Sequence, residues 1–238
     1  MKNGTPKISV VTVCWNALDL LRKTVDSVAS LEYGNVEYLV IDGNSSDGTV
    51  DYINGRRDVV DVFVSEPDKG IYDAMNKGAR LASGEFVIFM NAGDTFAQAD
   101  VLDRLLPYYD GADVVYGSVI RNGVVKPAEE PHNCHRMYFC HQSALTRRDC
   151  LLEYPFDISH RMSADFKQFK QLYKAGKRFC RTDVPVADFD LTGVSNAQRS
   201  KGLWDNITVI REIDSPMDRI RLLPRLYFVY FMLKIRKK

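Results

Sequence analysis

The chain has 238 residues, 45% hydrophobic and 26% charged, with a formal net charge of +1. That is enough length for a substantial core and the composition of an ordinary globular protein; nothing in the total charge calls for nucleic acid, and no apolar stretch approaches the roughly 20 residues of a spanning helix. The charge is uneven, because from Arg219 onward there are seven Lys/Arg and no Asp/Glu, which leaves a mildly acidic body and a basic tail.

The opening stretch "KISVVTVC" reads as a buried strand rather than a cleavable signal segment. A polar turn, Trp15-Asn16-Ala17, leads into a helix with Leu18, Leu21, Val25 and Val28 on one face. "VEYLVID" is the second strand, followed by the turn cluster "GNSSDG" and a helix from about Thr49. "VVDVFVSE" is the third, broken by "PDKG". In "IYDAMNKGARLA" the spacing puts Ile71, Ala74, Met75, Ala79 and Ala82 inward, and Ser83-Gly84 ends the helix before the strand "EFVIFM".

Strands that are apolar without alternation, separated by helices, predict an α/β fold with a mostly parallel sheet covered on both faces. Ligands bind such sheets beyond the carboxyl ends of the strands. Trp15-Asn16, Asp42 to Asp47, Glu66 to Asp68 and Asn91 to Asp94 are therefore expected to converge on one edge. The second half predicts a hairpin through Arg121-Asn122-Gly123 and a helix from Ser163 to Ala175, with Phe166, Phe169, Leu172 and Tyr173 inward and Gly176 as its stop.

Five cysteines, an odd number without close pairing, fit a reducing compartment better than a disulfide scaffold. "HNCHRMYFCH" gathers His132, Cys134, His135, Cys140 and His141, but its spacings match no zinc pattern. There is no G-x-G-x-x-G and no Walker A sequence. Asp42 has two readings, a turn residue or a carboxylate that accepts from a base or sugar, with Gly43 letting the ligand approach the backbone. Asp94, after the abrupt end of "VIFM", either holds a metal or caps a helix near Ala97 to Leu106.

In order, "ISVVTVCWN", "YLVIDGNSSDGT" and "SEPDKGIYDAMNKGARLASGEFVIFMNAGD" resemble the family-two glycosyltransferases that use nucleotide-diphospho-sugars, notably those of bacterial exopolysaccharide assembly such as the colanic acid type. Residues 7 to 96 carry the resemblance, and residues 138 to 196 follow more loosely through "HQSALTRRD", "FDISHRMSADF" and "LTGVSN". It implies a GT-A fold, Rossmann-like, with a nucleotide-sugar half at 1–112 and an acceptor half at 113–205. A C-terminal helical segment would fill 206–238.

The same resemblance implies roles. Val13, Trp15 and Asn16 would touch the base, Asp42 the base or ribose, and Asp68 the nucleotide. Asn91-Ala92-Gly93-Asp94 stands where the family has Asp-x-Asp, so Mg²⁺ or Mn²⁺ would rest on Asp94 with Asn91 as a neutral ligand. Asp165 would be the general base, with Ala164 in place of the first member of an acid pair; Asp157 and Asp190 are the fallback candidates. A first-turn acid favoured by the helix dipole, behind a Ser163 cap, is the plainer reading of Asp165. His141 and Gln142 would line the acceptor or diphosphate side, and the loop at Gly193-Val194-Ser195 has no assigned role.

The implied reaction is inverting transfer from a nucleotide-diphospho-sugar, UDP-linked by family frequency, to a glycan acceptor, lipid-linked, in cell-surface polysaccharide synthesis. Charge grows on the departing diphosphate as the anomeric bond lengthens, and a hard divalent ion held by one carboxylate plus substrate oxygens and water can meet it. Two alternatives stay open: a nucleotidyltransferase acting on a sugar phosphate, and a non-catalytic nucleotide-sugar-binding adaptor at the membrane. The tail "RIRLLPRLYFVYFMLKIRKK" reads either as a packing or dimer-forming helix or as one lying on an anionic membrane surface. The expected location is cytoplasmic, peripheral on the inner face of the plasma membrane, and a homo-oligomer is left open.

Overall fold

The computed structural model describes residues 4–190 and 199–235. Strands β1 (Ile8–Cys14), β2 (Val36–Asp42), β3 (Val62–Ser65) and β4 (Phe86–Phe89) pair in parallel in the order β3-β2-β1-β4, joined by α1 (Leu18–Ala29), α2 (Thr49–Asn54) and α3 (Ile71–Leu81). Alternate residues of these strands serve two cores, which is why their sequences do not alternate in polarity. Val10, Val40 and Ile88 pack with Leu21 and Val25 of α1, whereas Val11, Leu39, Ile41 and Val87 pack with Met75 and Ala79 of α3. Ile71, expected inward at the start of α3, is instead 46% exposed.

Beyond β4 come β5 (Thr95–Phe96), α4 (Val101–Leu105), β6 (Val114–Arg121), β7 (Val124–Lys126), β8 (Ala144–Arg147), α5 (Arg148–Glu153), α6 (Ala164–Lys174) and β9 (Phe179–Asp188). They extend the same sheet as β8-β6-β9-β5, with β7 on β6 as the expected hairpin. Asn122 and Gly123 both have positive φ (50° and 71°), as a tight two-residue hairpin turn requires. The helix expected over Ala97 to Leu106 is shorter, starting only at Val101, because Thr95 and Phe96 pair with β9 first.

The sheet changes direction between β4 and β8, which are antiparallel with Phe86 opposite Arg147. The short turn ahead of β8, residues 141–143, therefore comes back beside the end of β4, where His141 meets Asn91 and Gln142 meets Asp94. This one pairing delivers the turn that enters β8 to the turn that leaves β4.

The C-terminal part is two helices, α7 (Arg199–Ile213) and α8 (Pro216–Ile235). The boundary expected near residue 205 lies inside α7. Ile207 and Ile210 of α7 and Leu222 and Leu226 of α8 pack on Phe166 of α6. Asp214, between the two helices, is buried against Lys170 at 2.9 Å and Lys174 at 3.1 Å. Helix α8 runs on through Pro224 and leaves Met217, Ile220, Phe228, Phe231 and Ile235 exposed. Among the described residues no helix is long and apolar enough to cross a membrane.

Candidate active site at the ends of the parallel strands

The loops after β1, β2 and β3 meet as the strand pattern predicted. Asn16 adopts a positive φ of 46°, its backbone N–H donates to Ser45 Oγ at 2.7 Å, and its side-chain oxygen accepts from Ser46 N at 2.8 Å. Asp47 accepts from Leu18 N at 2.9 Å and Thr49 N at 3.2 Å, so one carboxylate serves the starts of α1 and α2.

Asp42 is fully buried and accepts from Ser45 N at 2.9 Å, from Ser65 Oγ at 2.6 Å and from the Ser45 hydroxyl. Its carboxylate therefore ties the loop after β2 to the end of β3. The neighbouring Cys14 thiol is pushed well up, first by burial and then by Asp42. A Cβ on Gly43 would stand 2.7 Å from Asp68 Oδ2 and 3.3 Å from Trp15 Cβ. Gly43, Trp15 and Asp68 thus lie against one another, and the Trp15 ring is 68% exposed. Val13 is buried; its carbonyl accepts from Ala92 N at 3.3 Å.

The turn after β4 is pinned to α1. Thr24 Oγ1 donates to the Asp94 carbonyl at 2.8 Å and accepts from Gly93 N at 2.9 Å. Asp94 caps no helix. Its side chain is 4% exposed and accepts from Gln142 Nε2 and from the backbone N–H of Asp190, each at 2.9 Å. Burial pushes this carboxyl up to about 6, against the lowering pull of those two donors and of His141. Asn91 stands beside it, with Nδ2 3.3 Å from His141 Nε2 and a buried Oδ1 that has no hydrogen-bond partner.

Asp165 lies in the first turn of α6 and is 16% exposed. His141 Nδ1 is 3.1 Å from its Oδ2, while Tyr72 Oη donates to Oδ1 at 3.0 Å and Phe166 N at 2.8 Å. Burial would raise its pKa, but the hydrogen bond and charge of His141, the Phe166 amide and the Tyr72 hydroxyl outweigh it, and the net shift is downward. The carboxylate is held ionised. Tyr72 is pushed well up by burial and by Asp165. Ser163, expected as a cap, instead turns its hydroxyl to the Gly202 carbonyl at 3.3 Å.

The sequence-chosen residues thus fall into two adjoining groups. Asn91, His141 and Asp165 are linked side chain to side chain, with the Gln142–Asp94 pair in the same two turns, whereas Trp15, Asn16, Asp42 and Asp68 gather at the neighbouring strand ends. Of the fallback acids, Asp190 lies against Gly93, 2.8 Å from where its Cβ would stand. Asp157 accepts from Lys167 at 2.6 Å, away from this chain of contacts. The segment Gly193-Val194-Ser195 lies outside the described residues. Tyr72 and Ser65 are additions from the structure, and the only trace of Tyr72 in the sequence is a phenol in the first turn of a helix.

Residues 9–174 match the family model of glycosyl transferase family 2. The chain belongs to that family. A PGL/p-HBAD biosynthesis glycosyltransferase of Mycobacterium bovis is 30% identical over 177 residues, 68% of each chain. An uncharacterized glycosyltransferase of Mycobacterium tuberculosis is 41% identical over 109 residues, 45% of this chain, and the chain spans only 42% of that relative's length. Among solved structures, a mannosyltransferase of Pyrobaculum calidifontis in complex with GDP-Man and Mn²⁺ superposes with a TM-score of 0.72 over 96% of this chain and 72% of that one. S. aureus TarS residues 1–349 in complex with UDP gives 0.69 over 92% and 71%. At 17% and 18% identity these two share the fold, the GT-A arrangement of a mostly parallel curled sheet flanked by helices.

A divalent cation is implied by that family, and the turn after β4 fits one. Asp94 and the partnerless Asn91 Oδ1 offer oxygen donors of the kind hard cations prefer, and the Asp190 carboxylate lies against Gly93 in the same turn. Among the described residues, Asp157, His160 and Glu212 are the one group of three His, Cys or carboxylate side chains with ligand atoms within 4.8 Å of one another. It already holds a cation, because Lys167 Nζ lies 2.6 Å from both carboxylates and 3.3 Å from the imidazole. That cluster is an ion-pair network joining the loop ahead of α6 to α7.

Proposed function

We propose that the protein is an inverting glycosyltransferase that moves a sugar from a nucleotide-diphospho-sugar, UDP-linked, to a hydroxyl of a lipid-linked glycan acceptor in cell-surface polysaccharide synthesis. The observation that carries this reading is the run of contacts Tyr72, Asp165, His141, Asn91, which joins an ionised, nearly buried carboxylate to the turn bearing Asp94. An acid base and a cation-binding turn linked through one imidazole suit a displacement in which the nucleophile is deprotonated on one side and the leaving group is neutralised on the other.

In this reading the nucleotide lies over Trp15, Asn16 and Asp68, and Asp42 keeps the loop beneath it in place from inside. Asp165 takes the proton of the acceptor hydroxyl as that oxygen attacks the anomeric carbon, and the bond to the diphosphate breaks on the opposite face, inverting the centre. His141 and Tyr72 hold the carboxylate ionised and aimed. A divalent ion, when bound, supplies positive charge to the departing diphosphate; Asp94, with Asn91 and Asp190, would hold it. Names of relatives in teichuronic acid and PGL/p-HBAD biosynthesis support a cell-envelope glycan as product. The exposed apolar residues of α8, interspersed with Arg219, Arg221, Arg225 and Lys234, support a reversible seat on the inner face of the membrane.

The test is a panel of UDP- and GDP-sugars with and without Mn²⁺, scored for sugar release or transfer. Asp165→Asn should lower the rate by about 10²- to 10⁴-fold, the usual range for a general base, while leaving donor binding intact. Pyrophosphate release without sugar release, or no donor bound at all, would refute the reading.

A further inference from the structure

Ile71 should be buried by the pattern of α3, and it is exposed because a hollow opens beside it. The hollow is a cavity of about 360 Å³, within the range of small-ligand sites. Its walls include Lys69, Ile71 and Tyr72 at the start of α3, Ile158 and Arg161 ahead of α6, and Lys201 in the first turn of α7. Among the described residues the cationic ends of Lys69, Arg161 and Lys201 have neither a hydrogen bond nor an ion pair. Asp73, also on the wall, uses its carboxylate to accept from the Lys69 backbone at 3.0 Å. Lys167, nearby, is by contrast saturated by Asp157 and Glu212.

The lining is amphipathic. Ile71 and Ile158 (39% exposed) present apolar surface among the three cations. One helical turn beyond Lys201, Trp204 is exposed and stacks on Tyr230 of α8, with ring centroids 5.0 Å apart, so apolar surface continues from the cavity rim to the exposed side of α8. The cavity also reaches the reacting end of the molecule, since Tyr72, one of its walls, donates to Asp165. A neutral glycan needs no cluster of unpaired cations, and a free inorganic anion needs no apolar wall. The ligand that uses both is an anion with a hydrocarbon attached.

We propose that this cavity binds the phosphate and adjoining hydrocarbon of a lipid phosphate-linked acceptor, with Arg161 and Lys201 as its principal cations. This rests on the glycosyltransferase reading and deepens it by naming the acceptor's anchoring group and the residues that hold it.

Calorimetric titration of the full chain with geranyl phosphate, geraniol and inorganic phosphate tests it, with UDP plus Mn²⁺ titrated in parallel. Geranyl phosphate should bind at least tenfold more tightly than either fragment. R161Q/K201Q should weaken it at least tenfold while UDP affinity stays within twofold. Both side chains are exposed and unpaired, so this variant should keep the wild-type thermal midpoint, and K201Q alone should give an intermediate loss. Equal binding of inorganic phosphate and geranyl phosphate would overturn the proposal, as would unchanged geranyl phosphate binding in the double variant. Loss of UDP binding in that variant would assign the cavity to the donor and overturn it too. If wild-type protein binds UDP but not geranyl phosphate, only this inference falls; if it binds neither, the glycosyltransferase reading falls with it.

Discussion

Replacing Asp94 with Asn should make the metal-free protein more stable at neutral pH. The carboxyl is raised from 3.8 to about 6 by burial, with Asp190 adding to the rise and the Asp190 amide, Gln142 and His141 opposing it. A folded pKa above the unfolded one means that the folded chain binds more protons between about pH 4 and 6, so the ionised side chain costs stability above pH 6 and that cost disappears below pH 4. Roughly two units at 1.36 kcal/mol each is ~3 kcal/mol. Asn still accepts from the Asp190 amide, but its NH₂ meets the Gln142 donor, which returns ~1 kcal/mol. The net gain is therefore ~2 kcal/mol at pH 7. Urea unfolding of wild type and D94N in EDTA across pH 4.5–8 measures it as the difference between the two proteins. A difference that is the same at every pH would refute the reasoning. With UDP and Mn²⁺ added the order should reverse, because wild type, which alone keeps the carboxylate for the metal, gains the larger stabilisation by mass action.

Tyr72→Phe keeps the ring, packed 5.5 Å from Phe156, and removes one hydrogen bond to an ionised acceptor. That bond helps to hold the Asp165 carboxyl low, so the acid limb of the kcat/KM profile should move up; an unmoved limb would show that Tyr72 does not set the charge of Asp165. Truncation after Leu226 keeps Leu222 and Leu226, the buried residues of α8 packed with Phe166, and removes the exposed aromatics beyond them together with the partly buried Tyr230. The shortened protein should no longer sediment with anionic vesicles at low salt, and undiminished sedimentation would remove the case for a membrane-facing helix.

The parallel half of the fold was readable because its signal is local. Buried, mostly apolar strands, glycine and proline breaks, and helical spacing each occupy one short window of sequence. The second half was readable only at its hairpin and its helix α6, and β8 and β9 show why. β8 has four residues, too few for a period to establish itself, and β9 ends in Val184-Pro185-Val186-Ala187-Asp188, where a proline argues against a strand. Its pairing with β6 shifts register at that point, so the irregularity that hides β9 in the sequence is the same one that accommodates the proline.

The site divides along the same line. Asp42, Asp68, Asn91 and Asp94 each follow a recognisable strand and could be named from position alone. What could not be read is what those side chains do with their hydrogen bonds. Asp42 points inward to Ser45 and Ser65, a matter of one rotamer, while Asp165 draws its partners from 24 and 93 residues away. Those distant contacts decide the chemistry. Without Tyr72 and His141, a carboxylate this buried would be pushed toward its neutral form and could not accept a proton. Tyr72 reaches Asp165 from the start of α3, and His141 is carried there by the β4 to β8 pairing, which also brings Gln142 to Asp94. One antiparallel register thus supplies a partner to the proposed base and another to the proposed cation ligand. A shift of that register would carry the turn ahead of β8 along β4, displace both partners and uncouple the two halves of the reaction.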